Sequence, residues 1–127
     1  MSVSLSITGY VQVSDSTTGI VALKKLFASL TASGTAFTEG QSISVGTSPV
    51  TVSLPVSPAQ FLYVKNLHAT NTLTVTWTPN GGSTATILLL EPGSAILFCE
   101  AATGSGITAL SLTGSASATL CEYVVGG

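Results

Sequence analysis

Charge is what this sequence has least of. Only 6% of its 127 residues are charged: three Lys, no Arg, one Asp (Asp15) and four Glu, for a formal net charge of −2. Sequence-independent nucleic-acid binding draws on many Lys and Arg contacts to phosphate, and three Lys cannot supply them. There is one His, His68, and there are two Cys, Cys99 and Cys121. Two Cys are too few for a disulfide scaffold, and one His with two separated Cys forms no recognisable ligand spacing, so no metal or cofactor is expected. Both Cys lie in apolar, strand-like runs and read as buried free thiols, with a bridge as the alternative if their strands are neighbours. No apolar run reaches the about 18 residues of a membrane span, and the greasiest region, Ile87 to Cys99, is broken by Glu91-Pro92-Gly93. Residues 1–23 hold no Lys or Arg and no continuous apolar stretch, so no secretory signal peptide is visible.

What is present is a chain with 45% hydrophobic residues, a mean hydropathy of +0.60 and 37 Ser and Thr. High hydrophobicity with little charge is the reverse of a disordered composition, and the length suits one domain with a real core. Apolar and polar residues alternate with period two and are punctuated by turn residues every 8 to 12 positions. That pattern predicts an all-β fold, an antiparallel β-sandwich, jelly-roll-like, of about ten short strands. The expected organisation is a single sandwich domain over 1–127, with 1–30 as an N-terminal hairpin or arm.

Val3, Leu5 and Ile7 share one face of the first strand, which resumes after Gly9 through Val11 and Val13; Ser14 to Gly19 reads as a hairpin connection. The segment Ile20 to Leu30 fits both periods, and a strand is favoured because the first strand otherwise lacks a hairpin partner. Short strands follow at Ser42 to Val45 and Val50 to Leu54. Pro55 and Pro58 forbid ladder donation, so the next stretch is a connection or a crossover between sheets. Phe61 to Asn66 is a strand. Leu73, Val75 and Trp77 alternate with Thr72, Thr74, Thr76 and Thr78, a Thr ladder opposite an apolar face. Pro79-Asn80-Gly81-Gly82 then predicts a hairpin between Thr72–Thr78 and Ser83–Leu90. Glu91-Pro92-Gly93-Ser94 suits a type II turn, and the apolar runs on either side of it, Ile87 to Leu90 and Ala95 to Cys99, predict strands covered on both faces. Ile107 to Leu112 and Thr119 to Val125 complete the series.

Catalytic chemistry finds little footing. A Ser-His-Asp site would need His68 and Asp15, and no Gly-x-Ser-x-Gly elbow is present. A Cys99–His68 dyad lacks a neighbouring base to activate the thiol. The carboxylates Glu39, Glu91, Glu100 and Glu122 are isolated in sequence, so paired-acid chemistry would depend on the fold bringing two together. His68 reads as a loop residue, and no enzyme is expected. Tyr10, Tyr63 and Trp77 could form an aromatic platform for a sugar, although Trp77 is in phase with Leu73 and Val75 and so with the core. With so few charges to keep it apart from other proteins, the surface is expected to be committed to subunit contacts.

The order of Asp15-Ser16-Thr17-Thr18-Gly19, Gly46-Thr47-Ser48-Pro49, Tyr63-Val64-Lys65-Asn66-Leu67, the Thr72 to Trp77 strand with its Pro79-Asn80-Gly81-Gly82 turn, and Glu91-Pro92-Gly93-Ser94-Ala95-Ile96-Leu97-Phe98 resembles small β-sandwich virion proteins of tailed bacteriophages. The resemblance spans most of the chain and is carried by strand and turn residues. It implies a structural role in the virion, as a capsid decoration or cement protein or as a neck or tail component, with no active site to carry over. The expected partners are the chain itself, as a symmetric homo-oligomer with a trimer favoured, and other virion proteins, without nucleic acid or membrane. Val3, Leu5, Ile7, Val11 and Val13 are the candidate assembly strand. The rival expectation is a carbohydrate-binding module of a tail fibre or adhesin, resting on Tyr10, Tyr63 and Trp77.

Overall fold

The computed structural model describes residues 2–15, 17–33, 38, 41–99 and 105–127. All its elements are strands: β1 (Ser2–Asp15), β2 (Gly19–Ser33), β3 (Gln41–Val45), β4 (Val50–Val52), β5 (Phe61–Asn66), β6 (Leu73–Pro79), β7 (Thr86–Leu90), β8 (Ala95–Cys99), β9 (Ile107–Gly114) and β10 (Thr119–Gly126). They fall into two compact units, residues 1–34 and residues 35–127.

The first unit is a two-stranded antiparallel sheet of β1 and β2. Ile20 to Leu30 is strand throughout, and Gly19, with φ of 92°, supplies the left-handed backbone that starts it after the turn. The two strands are 14 and 15 residues long, well beyond the short strands expected, because Gly9 continues the ladder opposite Leu26 and does not break it.

The second unit is an antiparallel β-sandwich of eight strands in two sheets, ordered β3-β10-β5-β8 and β4-β9-β6-β7. The sandwich therefore has fewer strands than the expected ten, since β1 and β2 pair only with each other. Its pairs are nested: β6 with β7, β5 with β8, β4 with β9 and β3 with β10. This is one long hairpin with its tip at Pro79–Gly82, rolled so that β10 also meets β5 and β9 also meets β6. Two four-stranded sheets connected this way make a jelly roll. The proline stretch carries the chain from β4 in one sheet to β5 in the other, with a cis peptide at Ser57-Pro58.

Alternation explains the core. Leu62 and Val64 of β5, Leu73 and Val75 of β6, Leu110 and Leu112 of β9, and Cys121, Tyr123 and Val125 of β10 point between the sheets, with Trp77, Ile96 and Phe98 packed at its margin. The phase slips once, where Thr108 and Ala109 are both exposed between buried Ile107 and Leu110. A register shift at Thr78/Pro79 accounts for it: the extra residue on β9 is a bulge that lets Ile107 return to the core. Gly106 then sits at φ of 124°, against the Ala59 carbonyl, where Ala59 and Ile107 exchange two 2.8 Å backbone bonds. A side chain there would collide with backbone.

Both turns fall where the sequence places them, but the β6–β7 ladder begins only at Trp77–Thr86, so residues 80–85 form a longer connection than the tight hairpin ending at Ser83 that is expected. Gly82 N–H donates to Pro79 O at 3.0 Å with Gly81 at φ of 77°, and Ser94 N–H donates to Glu91 O at 3.0 Å with Gly93 at φ of 77°. Positive φ at the third position is the mark of a type II turn. The apolar strands on either side of the second turn differ from expectation. β7 and β8 are outermost in their respective sheets, and Ile87, Leu89 and Leu97 are 69%, 55% and 49% exposed. A continuous apolar run signals cover on both faces only for an interior strand.

Candidate functional site

Among the described residues, no group of three His, Cys, Asp or Glu gathers into a metal centre. His68 lies in the β5–β6 connection, where its Nδ1 accepts the backbone N–H of Asn71 at 2.9 Å and of Thr70 at 3.2 Å. An accepting Nδ1 places the ring proton on Nε2 and leaves His68 fastening its own loop. Asp15 belongs to the other compact unit. Cys121 is buried and free, and burial pushes its thiol up to about 11, which makes it a poor nucleophile. A Cys99–Cys121 bridge is excluded on the backbone alone: β5 lies between their strands, with Cys99 opposite Phe61 and Cys121 opposite Asn66. Glu91 is exposed in its turn, and Glu122 accepts the Tyr63 hydroxyl at 3.1 Å. Partial burial, then this carboxylate, hold the Tyr63 phenol above its ordinary value. Glu39 and Glu100 lie outside the described residues.

The three aromatic candidates lie on three different strands. Trp77, in β6, packs against the core, Tyr63 bonds Glu122 on the other sheet, and Tyr10 sits opposite Lys25 in the hairpin unit. Tyr63 and Trp77 share a compact unit and stand in its two different sheets.

One organising residue escapes a sequence reading. Asn66 is fully buried at the end of β5, with its Nδ2 donating to Asn71 O at 2.8 Å and Leu90 O at 3.1 Å, and its Oδ1 accepting from His68 N–H at 3.0 Å. Its backbone exchanges bonds with Ser94 O and Gly93 N–H. Asn66 thus ties the β5–β6 loop, the end of β7 and the type II turn into one end of the sandwich. The sequence places Asn66 at the end of a strand but does not show that it is buried, because its bonds to Leu90, Gly93 and Ser94 join positions distant in the chain.

No protein family, curated protein or solved structure matches this chain. Function has to be read from its surfaces.

Two features stand out. The outer rows of the β4-β9-β6-β7 sheet run Thr51, Ser111, Thr76, Ile87 and Thr113, Thr74, Leu89 in register, with no charge in either. They are a Ser/Thr surface that ends in exposed aliphatic residues at β7. The other feature is the β1–β2 hairpin. Its register sets Val3 opposite Ala32, Leu5 opposite Leu30, Ile7 opposite Ala28, Val11 opposite Lys24 and Val13 opposite Ala22. Residues opposite one another in an antiparallel pair share a face, so the five candidate assembly residues and their largely apolar partners fall on one side of the ribbon. The intervening pairs, Ser2 with Ser33, Ser4 with Thr31, Ser6 with Ser29, Thr8 with Phe27, Tyr10 with Lys25 and Gln12 with Leu23, fall on the other, which is polar only in its first half.

Proposed function

We propose that this chain is a non-enzymatic structural protein of a tailed-phage virion, a capsid decoration or cement protein or a neck or tail component. It acts as a symmetric homo-oligomer, with a trimer as the favoured stoichiometry, and contacts other virion proteins without nucleic acid or membrane. The observation that carries this reading is the hairpin. A ribbon of 14 and 15 residues pairs with no third strand among the described residues. A lone two-stranded hairpin is at best marginal in water and needs a further surface to pack on. Supplied by neighbouring subunits, that surface turns the hairpin into an assembly arm, an element exchanged between identical copies.

Charge distribution supports the same reading. Residues 1–34 hold two Lys against one Asp, and residues 35–127 hold one Lys against four Glu. Arm and body therefore carry opposite signs, which favours an arm-to-body contact between copies and weakens it as salt is added.

Light scattering across a range of concentrations, on the full chain and on a chain lacking residues 1–33, tests the arm. The expected result is a discrete closed oligomer for the former and a folded monomer for the latter. A full-length monomer at every concentration, or an oligomer indifferent to the truncation, overturns it. Immunogold labelling of phage particles from the source culture tests the virion location, and unlabelled particles overturn that part.

A further inference from the structure

The chain has three asparagines, and the fold treats them differently. Asn66 is fully buried, its Nδ2 donates to Asn71 O and Leu90 O, and the amide that follows it, Leu67 N–H, is bonded to Leu120 O at 2.9 Å. Asn71 Nδ2 donates to Thr119 Oγ1 at 3.1 Å, and the amide that follows it, Thr72 N–H, is bonded to Ser115 Oγ at 3.0 Å. Asn80 is exposed in the second position of the type II turn at the tip of the long hairpin, and the residue after it is Gly81, also exposed. The turn bond runs from Gly82 N–H to Pro79 O, and the Asn80 N–H is taken by Gly106 O at 2.8 Å, so the Gly81 amide is engaged by neither.

Those differences decide where one reaction can occur. A backbone amide attacks the side-chain carbonyl carbon of the asparagine before it when its own hydrogen is not held in a bond and no side chain crowds the approach. After Asn66 and Asn71 the attacking nitrogen is tied into the structure and belongs to Leu67 or to β-branched Thr72. After Asn80 it belongs to a residue with no Cβ. The central peptide of that turn can also rotate between the type II and type I forms with the Gly82–Pro79 bond kept, because glycine accepts the φ of either.

We propose that Asn80 is a spontaneous modification site, which deamidates through Gly81 in the folded protein while Asn66 and Asn71 keep their amides. Gly81 N, having given its proton to solvent, forms a bond to Asn80 Cγ. The Cγ–Nδ2 bond breaks, the nitrogen takes up a proton from water and leaves as ammonia, and a cyclic imide remains. Water then opens the imide. Breaking the new bond to Cγ gives aspartate on an ordinary backbone; breaking the bond from Gly81 N to the Asn80 carbonyl carbon gives isoaspartate, with the chain running through Cγ. Water is the only co-reactant, and nothing is oxidised or reduced.

Both products carry a carboxylate, which moves the formal net charge from −2 to −3. The new charge stands in a part of the protein that has none: neither residues 66–90 nor residues 101–121 include a Lys, Asp or Glu. Isoaspartate also adds a main-chain atom between Pro79 O and Gly82 N, so the 3.0 Å turn bond loses its geometry. The change runs one way and marks older copies of the chain at a fixed place in the fold.

The test follows the full-length folded protein over time, at neutral and at mildly alkaline pH, by mass spectrometry of its peptic peptides. The expected result is conversion of the Asn80 peptide to the acid, with an equal amount of ammonia released and a faster rate at the higher pH, while the Asn66 and Asn71 peptides keep their amides. Gly81→Ala is expected to slow the conversion roughly tenfold, equivalent to a barrier about 1.4 kcal/mol higher. A Cβ on Gly81 meets nothing within 4 Å, so this variant removes backbone freedom without a clash, and Trp77 emission checks that it is folded. Asn80→Gln is expected to abolish the acidic form on isoelectric focusing. An Asn80 that stays an amide in the folded chain overturns the proposal, whether or not it converts in urea. So does conversion of Asn66 or Asn71 at an equal rate, an acidic form that persists in Asn80→Gln, or a folded Gly81→Ala chain that converts as fast as the wild type.

Discussion

The hairpin and the sandwich are written in the same period-two alphabet and meet different fates. In the sandwich, the apolar face of each sheet is closed by the other, and Leu62, Leu73 and Leu112 are sealed from water. In the hairpin, alternation makes two strands longer than any in the sandwich, in a sheet of two among the described residues. Alternation specifies that a face wants cover; it does not specify whose face will supply it. Where the chain itself supplies it, the outcome is stability. Under the proposed function another copy supplies it to the hairpin, and the outcome would be assembly.

The sharpest way to break this comparison is to truncate one apolar residue in each unit. Leu73→Ala removes a fully buried side chain between the sheets and is expected to cost about 3–4 kcal/mol, read as a lower denaturation midpoint at every protein concentration. Leu5→Ala, in the hairpin, is expected to leave the sandwich midpoint within about 0.5 kcal/mol and to weaken the oligomer instead. Equal losses in both variants would mean that the two units share one core.

A middling effect is expected at the tied end of the sandwich. Asn66→Ala deletes two donated bonds and one accepted bond and leaves the Leu90 carbonyl without its Asn66 donor, for a loss of about 2–3 kcal/mol by urea melting. Because that knot ends at Leu90 and the Gly93 turn, loosening it should also raise hydrogen exchange in β7 while leaving the hairpin unchanged. Exchange that rises in the hairpin instead would contradict the division.

Much of the sandwich was legible in the residues because its signals are local. The Thr74, Thr76 and Thr78 ladder, the Asn80-Gly81 and Pro92-Gly93 turns and the β6–β7 hairpin each depend on neighbours within a few positions. The misjudged parts depend on distant ones. Ile87 to Leu90 looked interior because four consecutive apolar residues usually are, yet strand order, set by nested pairing across up to eighty residues, put β7 at an edge. Asn66 ends the strand as the sequence indicates, but its bond to the Leu90 carbonyl, 24 positions on, exists only once the roll closes. For the candidate surfaces the sequence named the hairpin residues and missed β7, for the same reason: exposure is a property of strand order.

The smallest expected effect probes how dry the closed unit is. Cys121 in β10 has a thiol raised from an ordinary value of 9.0 to about 11 by burial. With the folded value above the unfolded one, the unfolded chain loses its thiol proton first as pH rises. The stability held by the neutral buried thiol is therefore complete below pH 9 and is lost progressively as pH climbs toward 11. Tyr63 also titrates above its ordinary value and adds a loss of the same sign, so the thiol's share is the difference between wild type and Cys121→Ala over that window. The expected result is a shallower fall in midpoint for the variant. Removing residues 1–33 should leave the difference intact, because every strand beside Cys121 belongs to the sandwich. If the truncation abolished it, the dry interior of the sandwich would owe part of its seal to the hairpin, and closed unit and open ribbon would have to be treated as one.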